Sequence, residues 1–538
     1  MSQSERALNM AAIAVLTAVA AIALLTFRDY GLGWDDYTHA QFGQMLLDLY
    51  GSGFRDRDAF SFVNLYMYGG GFDMFAALLA KILPFDLFET RRLAGAMVGL
   101  VGLFVTWRLA RRIGGPLAGL MALLLLACSP HYYGHMFFNP KDAPFAVAML
   151  VLLFGLVRML EEYPRPGAAT IALFGLGLGL TIGTRIVGGI AALYMVVPML
   201  MLTWQEVRSD GGRRAAANLG RFLLLLIPGF VFAYAIMALL WPWSVLDLLN
   251  PIRAIAYFSA FFEKPWKEMF EGVPIAVPDM PRSYLPVLLW LKMPELFLGL
   301  ACGGVLGLAF ATTRSDVPLR RRAIFALIAG AAVLPLAIAI ITRPAMYNGI
   351  RHFTFVLPPL AIVGGLAGAW VLDQLLRWSR PAAIATSLVF LLGLVMPVSG
   401  MVRLHPYEYT YFNWTSGGAR AADARFMLDY WGLALKQASL ELRKQLSARN
   451  EAPPSGQKWR IAICGPHSAA EAILGPQFAA TWDTKDADFV MEVGEFYCAE
   501  LKAPLLVEVV RDGIVFARVY DVRGLSVTTM FTLPPVTR

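Results

Sequence analysis

The chain has 538 residues, of which 58% are hydrophobic and 16% charged, with mean hydropathy +0.58. Soluble domains carry about 25% charged residues, so this composition excludes a soluble cytosolic enzyme and requires an integral membrane protein. The net charge of +8 does not signal nucleic acid, because the arginines sit in short clusters between apolar runs, as membrane topology demands.

A hydrocarbon core about 30 Å thick takes about 20 apolar residues per helix, which predicts about eleven spans. They are 7–27, 91–107, 116–129, 143–160, 167–183, 186–204, 222–241, 285–310, 323–341, 353–376 and 381–402. Acids rather than small residues follow the first run, so it is expected to be retained and not cleaved. Arg108, Arg111 and Arg112, then Arg158 and Arg165, then Arg208, Arg213, Arg214 and Arg221 fall in every second short loop. Arg314, Arg320, Arg321, Arg322, Arg377 and Arg380 continue the pattern. Those loops are expected in the cytoplasm with the N-terminus. The loop holding Asp35, the long loops 28–90 and 242–284, and the part after residue 402 are then expected outside. Phe42, Met45, Leu46 and Leu49 recur at helical spacing, which predicts a surface helix over 36–50, and 252–262 reads as a second.

From Arg403 onward charges become frequent and strand-like runs appear at 459–464, 488–493, 505–510 and 514–521, after a helix-prone segment at 421–448. The fold class expected is thus a polytopic α-helical membrane protein with interfacial helices on its outer face. Residues 1–402 form the transmembrane domain and 403–538 a small periplasmic α/β domain. Cys464 and Cys498 either pair there or are two buried thiols. No dinucleotide fingerprint or P-loop is present.

Ionisable groups near membrane depth are costly unless paired or solvated, and so are functional candidates. The outer side collects a set of them. Asp35 and Asp36 leave the first span with Tyr37 and His39; Arg91 and Arg92 open the second. His131, His135, Lys141 and Asp142 share one loop, Arg185 follows the fifth span, Lys292 lies inside the eighth, and Arg351 and His352 open the tenth. Cations from separate helices on one side suggest an anionic headgroup, most simply a phosphate. Arg91 and Arg351 also suit snorkelling at helix ends. The spacing of His131 and His135 is compatible with metal ligation, but no acid completes the set, and hydrogen-bonded histidines are the plainer reading.

Five motifs carry a resemblance: Asp35-Asp36-Tyr37, Arg91-Arg92-Leu93, Asn139-Pro140-Lys141-Asp142-Ala143-Pro144, Gly179-x-x-x-Gly183-Thr184-Arg185, and Arg351-His352-x-x-Phe355-x-x-Pro358-Pro359. In order and sidedness they resemble the membrane-embedded C-type glycosyltransferases that use polyprenyl-phosphate sugars. The likeness is to the branch of the protein O-mannosyltransferases and the lipid A aminoarabinose transferase, and it spans roughly the first 410 residues. His405 to Asn413 and Asp429-Tyr430-Trp431-Gly432 look like motifs of a bacterial subset with an appended outer domain.

The resemblance implies an inverting transfer from a polyprenyl-phosphate-linked sugar donor to a hydroxyl-bearing acceptor, a lipid, a glycan or a protein, at the outer face of a bacterial inner membrane. Asp35 is then the base, Asp36 its support in place of the usual glutamate, and Asp142 a second acid orienting the acceptor or a metal. Arg185, Lys141, Lys292, Arg351 and Arg91 are expected to bind donor phosphate. Tyr37, His39, Tyr66, Tyr68, His131, His135 and His352 are expected at the acceptor or sugar. No cofactor is certain, and a divalent cation stays open. Where relatives carry Pro-Pro-Leu in the first outer loop, this chain has Gly69-Gly70-Gly71, expected to loosen that segment. The rival readings are a transporter or flippase for an anionic or lipid-linked substrate and a non-catalytic scaffold for the outer domain. The one-sided gathering of charge speaks against both.

Overall fold

The computed structural model describes residues 3–259 and 266–531. Among the described residues, nine helices are long and apolar enough to cross a membrane, so the chain is a multi-pass membrane protein. The first, α1 (Gln3–Thr26), has only 11% of its apolar window buried, leaving Leu24 and Leu25 for lipid. The first outer loop holds α2 (Asp36–Gly51) and α3 (Gly71–Ala80). The surface helix expected at 36–50 is therefore present.

Predicted spans 91–107 and 116–129 are two helices, together α4 (Leu87–Ala127), that turn back on each other where Gly115 takes φ +86° before Pro116, bringing Gly119 against Trp107 and Arg111. Asp86 starts it by accepting the Phe88 and Glu89 amides at 2.7 and 2.8 Å, satisfying donors a helix start leaves open. The stretch 131–138, read from sequence as loop, is instead a helix, α5 (Pro130–Phe138), with every residue buried. Backbone that deep must satisfy its hydrogen bonds internally, and helix does so where an irregular loop cannot.

Next come α6 (Asp142–Glu162), the shorter α7 (Ala168–Ile182), α8 (Ala191–Asp210), α9 (Gly212–Leu240) and α10 (Asn250–Ser259). The second surface helix expected, 252–262, is seen to Ser259; residues 260–262 lie outside the described residues. A hairpin missed in sequence follows, β1 (Lys267–Phe270) antiparallel to β2 (Val273–Ala276). Predicted span 285–310 is two helices, α11 (Tyr284–Lys292) and α12 (Glu295–Thr313), parted at Met293-Pro294. The membrane part closes with α13 (Leu319–Thr342), α14 (Leu357–Trp378), which packs along α4, and α15 (Arg380–Leu404).

Beyond α15, the helix-prone segment divides into α16 (Gly418–Ala422) and α17 (Leu435–Ala448). Between them Asp429 accepts the amides of Gly432, Leu433 and Ala434 at 2.9, 2.9 and 3.0 Å, and Gly432 takes φ +76°. A carboxylate saturating three amides stabilises a turn against the helix. The sheet that follows contains β3 (Trp459–Cys464), then helix α18 (His467–Leu474), β4 (Phe478–Thr481), β5 (Phe489–Val493), β6 (Leu505–Arg511) and β7 (Ile514–Asp521), in the order β4-β3-β5-β7-β6. β3 runs parallel to β4 and β5, and β7 antiparallel to β5 and β6. The four strands read from sequence are present, and β4 is added. Cys464 and Cys498 form a disulfide across a Cα separation of 5.8 Å.

One hydrophobic cluster joins Phe27 and Tyr30 at the exit of α1, Tyr407 and Trp431, and Ile461 and Phe516 of the sheet. The sheet and the outer end of the membrane part therefore share a core.

Candidate active site

The loop leaving α1 is pinned from below. Arg92, near the start of α4, donates to both carboxylate oxygens of Asp36 at 2.7 and 2.6 Å and to the Gly31 carbonyl. Asp36 also accepts the Gly33 amide at 2.7 Å. Both side chains are buried, and a buried bidentate pair breaks at a cost of about 3–5 kcal/mol when one partner is lost. Asp36 is consumed by this clamp. Its neighbour points elsewhere: the Asp35 side chain is 39% exposed and lies 4.0 Å from Lys141 Nζ. Burial pushes the Asp35 carboxyl up, but Lys141 first, then His39 and Arg351, hold it below the usual carboxylate range. Asp35 is an ionised acid beside an ammonium.

One turn into α2, the His39 amide donates to the Asp35 carbonyl, and His39 Nδ1 lies 2.5 Å from Asp73. Asp73 also accepts from Arg91 at 2.6 Å. The second cation of the Arg91-Arg92 pair is thus committed to an acid that the sequence reading did not single out.

The segment 139–142 is built by Asn139. Its side-chain oxygen accepts the Lys141 and Asp142 amides at 3.1 and 2.8 Å, while its Nδ2 donates to Asp142 at 2.9 Å and to His135 Nδ1 at 3.0 Å. This fixes Asp142 at the N-terminus of α6, where negative charge is favoured. Asp142 is 2% exposed and meets Arg185 at 2.6 Å and Arg351 at 3.5 Å. Lys141 and Arg185 both lie over the Tyr68 ring, at 4.7 and 5.8 Å.

These groups meet at a cavity of about 450 Å³. Of the residues singled out from sequence, Asp35, His39, Tyr68, Lys141, Arg185, Arg351 and His352 line it, and Asp142 lies beneath, tied to two of its arginines. Trp34, Asn64, Trp266 and Tyr347 also line it and were missed, and so does Trp431, noted from sequence only as part of the Asp429–Gly432 motif. Their signal was faint: aromatic residues and one asparagine in outer loops, with Trp431 more than 390 residues from Asp35.

The other candidates sit apart. Lys292 is buried at 2%, with its ammonium 4.2 Å over Phe412, behind Gly349 rather than in the cavity. His131 bonds Thr354 Oγ1 at 3.1 Å, and His135 bonds Tyr430 at 2.9 Å, both within buried α5. Tyr66 stacks edge-on against Trp243, and Tyr37 is 42% exposed outside the lining. Lys292 stands out in the sequence as a charge inside an apolar run, and Tyr37, His131 and His135 as neighbours of charged residues, but helical geometry turns adjacent side chains to different faces.

The Gly69-Gly70-Gly71 segment is not loose. A Cβ on Gly69 would lie 1.5 Å from the Gly183 carbonyl oxygen, and one on Gly71 2.7 Å from Leu240. The Gly70 amide donates to the Leu240 carbonyl at 3.0 Å. These glycines permit close approach, which presses Tyr68 against the turn carrying Arg185.

Among the described residues no group of three or more His, Cys, Asp or Glu side chains is placed to hold a metal ion. Asp35 and Asp142 each already face cations, a donor set that fits an anion better than a divalent cation.

Residues 71–241, from α3 to α9, match the family described as dolichyl-phosphate-mannose-protein mannosyltransferase. ArnT from Cupriavidus metallidurans in the apo state superposes with TM-score 0.51 at 15% identity, covering 94% of this chain and 97% of that one. The chain has the fold of the C-type glycosyltransferases. The archaeal oligosaccharyltransferase AglB from Archaeoglobus fulgidus shares this C-type fold with TM-score 0.52 at 13% identity, over 90% of this chain and 69% of that one. No curated protein sequence matches significantly. The C-type resemblance read from five motifs therefore stands, and 94% coverage carries the likeness to ArnT into the part after residue 402.

Proposed function

We propose that the protein is an inverting glycosyltransferase, moving a sugar from a polyprenyl-phosphate donor to a hydroxyl on a lipid, glycan or protein. The observation that carries this reading is the cavity in which ionised Asp35 faces Lys141, with Arg185 and Arg351 beside it. Asp35 takes the proton from the acceptor hydroxyl as its oxygen attacks the anomeric carbon. The bond from that carbon to the phosphate oxygen breaks with its electron pair, and polyprenyl phosphate departs as an anion. Lys141, Arg185 and Arg351 stabilise the charge that develops on it. No general acid is required, because phosphate is already a good leaving group. Asp142 holds the two arginines in register instead of acting on substrate.

The donor class is supported by the family match and by the archaeal AglB structure, which contains a dolichol-phosphate. For a bacterial inner membrane the lipid is undecaprenyl phosphate, and the cavity opens to the periplasm. Arginine placement supports that side, and the Cys464–Cys498 disulfide suits an oxidising compartment.

Membranes containing the protein are expected to transfer sugar from an undecaprenyl-phosphate-linked donor, and membranes from a deletion strain to lack that transfer. Lipid and glycan profiling of the same pair identifies the acceptor as the species missing one sugar. Identical envelope profiles and no transfer from any polyprenyl-phosphate sugar would overturn the reading.

A further inference from the structure

The mechanism leaves the segment after the membrane part without a role, yet its Asp429-capped turn reaches the cavity. Trp431 is 2% exposed and lines that cavity. Its indole lies against the guanidinium of Arg351, 4.9 Å from Cζ to the ring centroid, and Tyr347 lies 4.7 Å away. The Trp431 carbonyl accepts the Trp34 amide, so the same residue touches the loop that carries Asp35. The fit is close: a Cβ on Gly33 would fall 1.6 Å from Trp431 Cδ1, and one on Gly31 would fall 2.0 Å from the Leu433 oxygen.

The turn is held from both sides. Tyr409 donates to Asp429, Tyr430 bonds His135, and Glu495, one residue beyond Gly494 at the end of β5, accepts the Leu428 amide at 2.9 Å. Among the described residues Trp431 Nε1 has no hydrogen-bond partner, while the face of its ring lies against the Arg351 guanidinium. An aromatic face near a partly desolvated guanidinium attracts it and restricts its rotamers.

We propose that Trp431 is a positioning residue, through which the C-terminal domain completes the active site by holding Arg351 toward the phosphate of the lipid donor. This rests on the reading of Arg351 as a phosphate-binding group. It assigns the C-terminal domain a part in donor binding, whether or not that domain also meets the acceptor.

The test is binding of undecaprenyl phosphate, with undecaprenol as control, to the purified full-length protein in detergent. Arg351→Gln is expected to weaken undecaprenyl phosphate binding and leave undecaprenol binding unchanged. Trp431→Leu, which keeps bulk but removes the π face, is expected to weaken phosphate binding about 3- to 30-fold. Trp431→Phe should restore it to within about twofold. The double variant Trp431→Leu/Arg351→Gln should bind no more weakly than Arg351→Gln alone, since Trp431 acts through Arg351. Trp482→Ala, at an exposed site in the same domain, should bind as wild type. Additive losses in the double variant, equal loss of undecaprenol binding, or unchanged binding by Trp431→Leu would each overturn the proposal. Unchanged binding by Arg351→Gln would instead overturn the reading of the phosphate site.

Discussion

Two adjacent carboxylates in one loop divide their work by which way the helix start turns them. Asp36 faces inward to Arg92 and is spent on structure, while Asp35 faces the cavity and Lys141. The pairing with Lys141 also sets the pH dependence. A base must be ionised, so transfer is lost as pH falls through its pKa, and a depressed pKa extends activity toward acid. Burial raises the Asp35 carboxyl and Lys141 is the largest influence lowering it. Lys141→Met should therefore move the acid limb of the kcat/KM profile to higher pH, besides raising the donor KM. An acid limb that does not move would mean that Lys141 does not act on the base.

At the scale of elements, the site depends on close approaches between segments distant in sequence. The turn after α7 carries Arg185 and is pressed by Gly69, whose added Cβ would meet backbone that cannot yield. Gly69→Ala should displace that turn and lower the transfer rate about 100-fold, as misplacements of about 1 Å do. Gly51→Ala, with nothing among the described residues within 4 Å of its Cβ, should leave the rate unchanged; equal rates for the two variants would contradict the close-approach account. The same contacts explain what was legible in the sequence. Spans were readable because lipid imposes length and hydropathy, and strands β3, β5, β6 and β7 because their apolar runs are bounded by turns. Buried α5 was not, because histidines and tyrosines hide its apolar pattern. The turn at 423–434 was not, because local helix propensity is overridden there by the Asp429 carboxylate capping three amides. Glycine at 69–71 was misread as freedom because sequence carries no record of what packs against a missing side chain.

For the whole molecule, the cavity draws on the first outer loop, Lys141 just before α6, the turn after α7, the segment before α14, the turn before α17 and Trp266 before β1. Charge made the first four legible, since cations at membrane depth are costly enough to stand out. Trp431 carried no such mark, and only the shared core of sheet and membrane part brings it there. The central claim is that one carboxylate, Asp35, is the base in this assembly. It is tested most directly by the transfer rate of Asp35→Asn from an undecaprenyl-phosphate-linked sugar, at saturating donor, with undecaprenyl phosphate binding measured alongside. The account predicts a fall of about 10²- to 10⁴-fold in rate with lipid-phosphate binding retained. A rate close to wild type in the folded variant would contradict it.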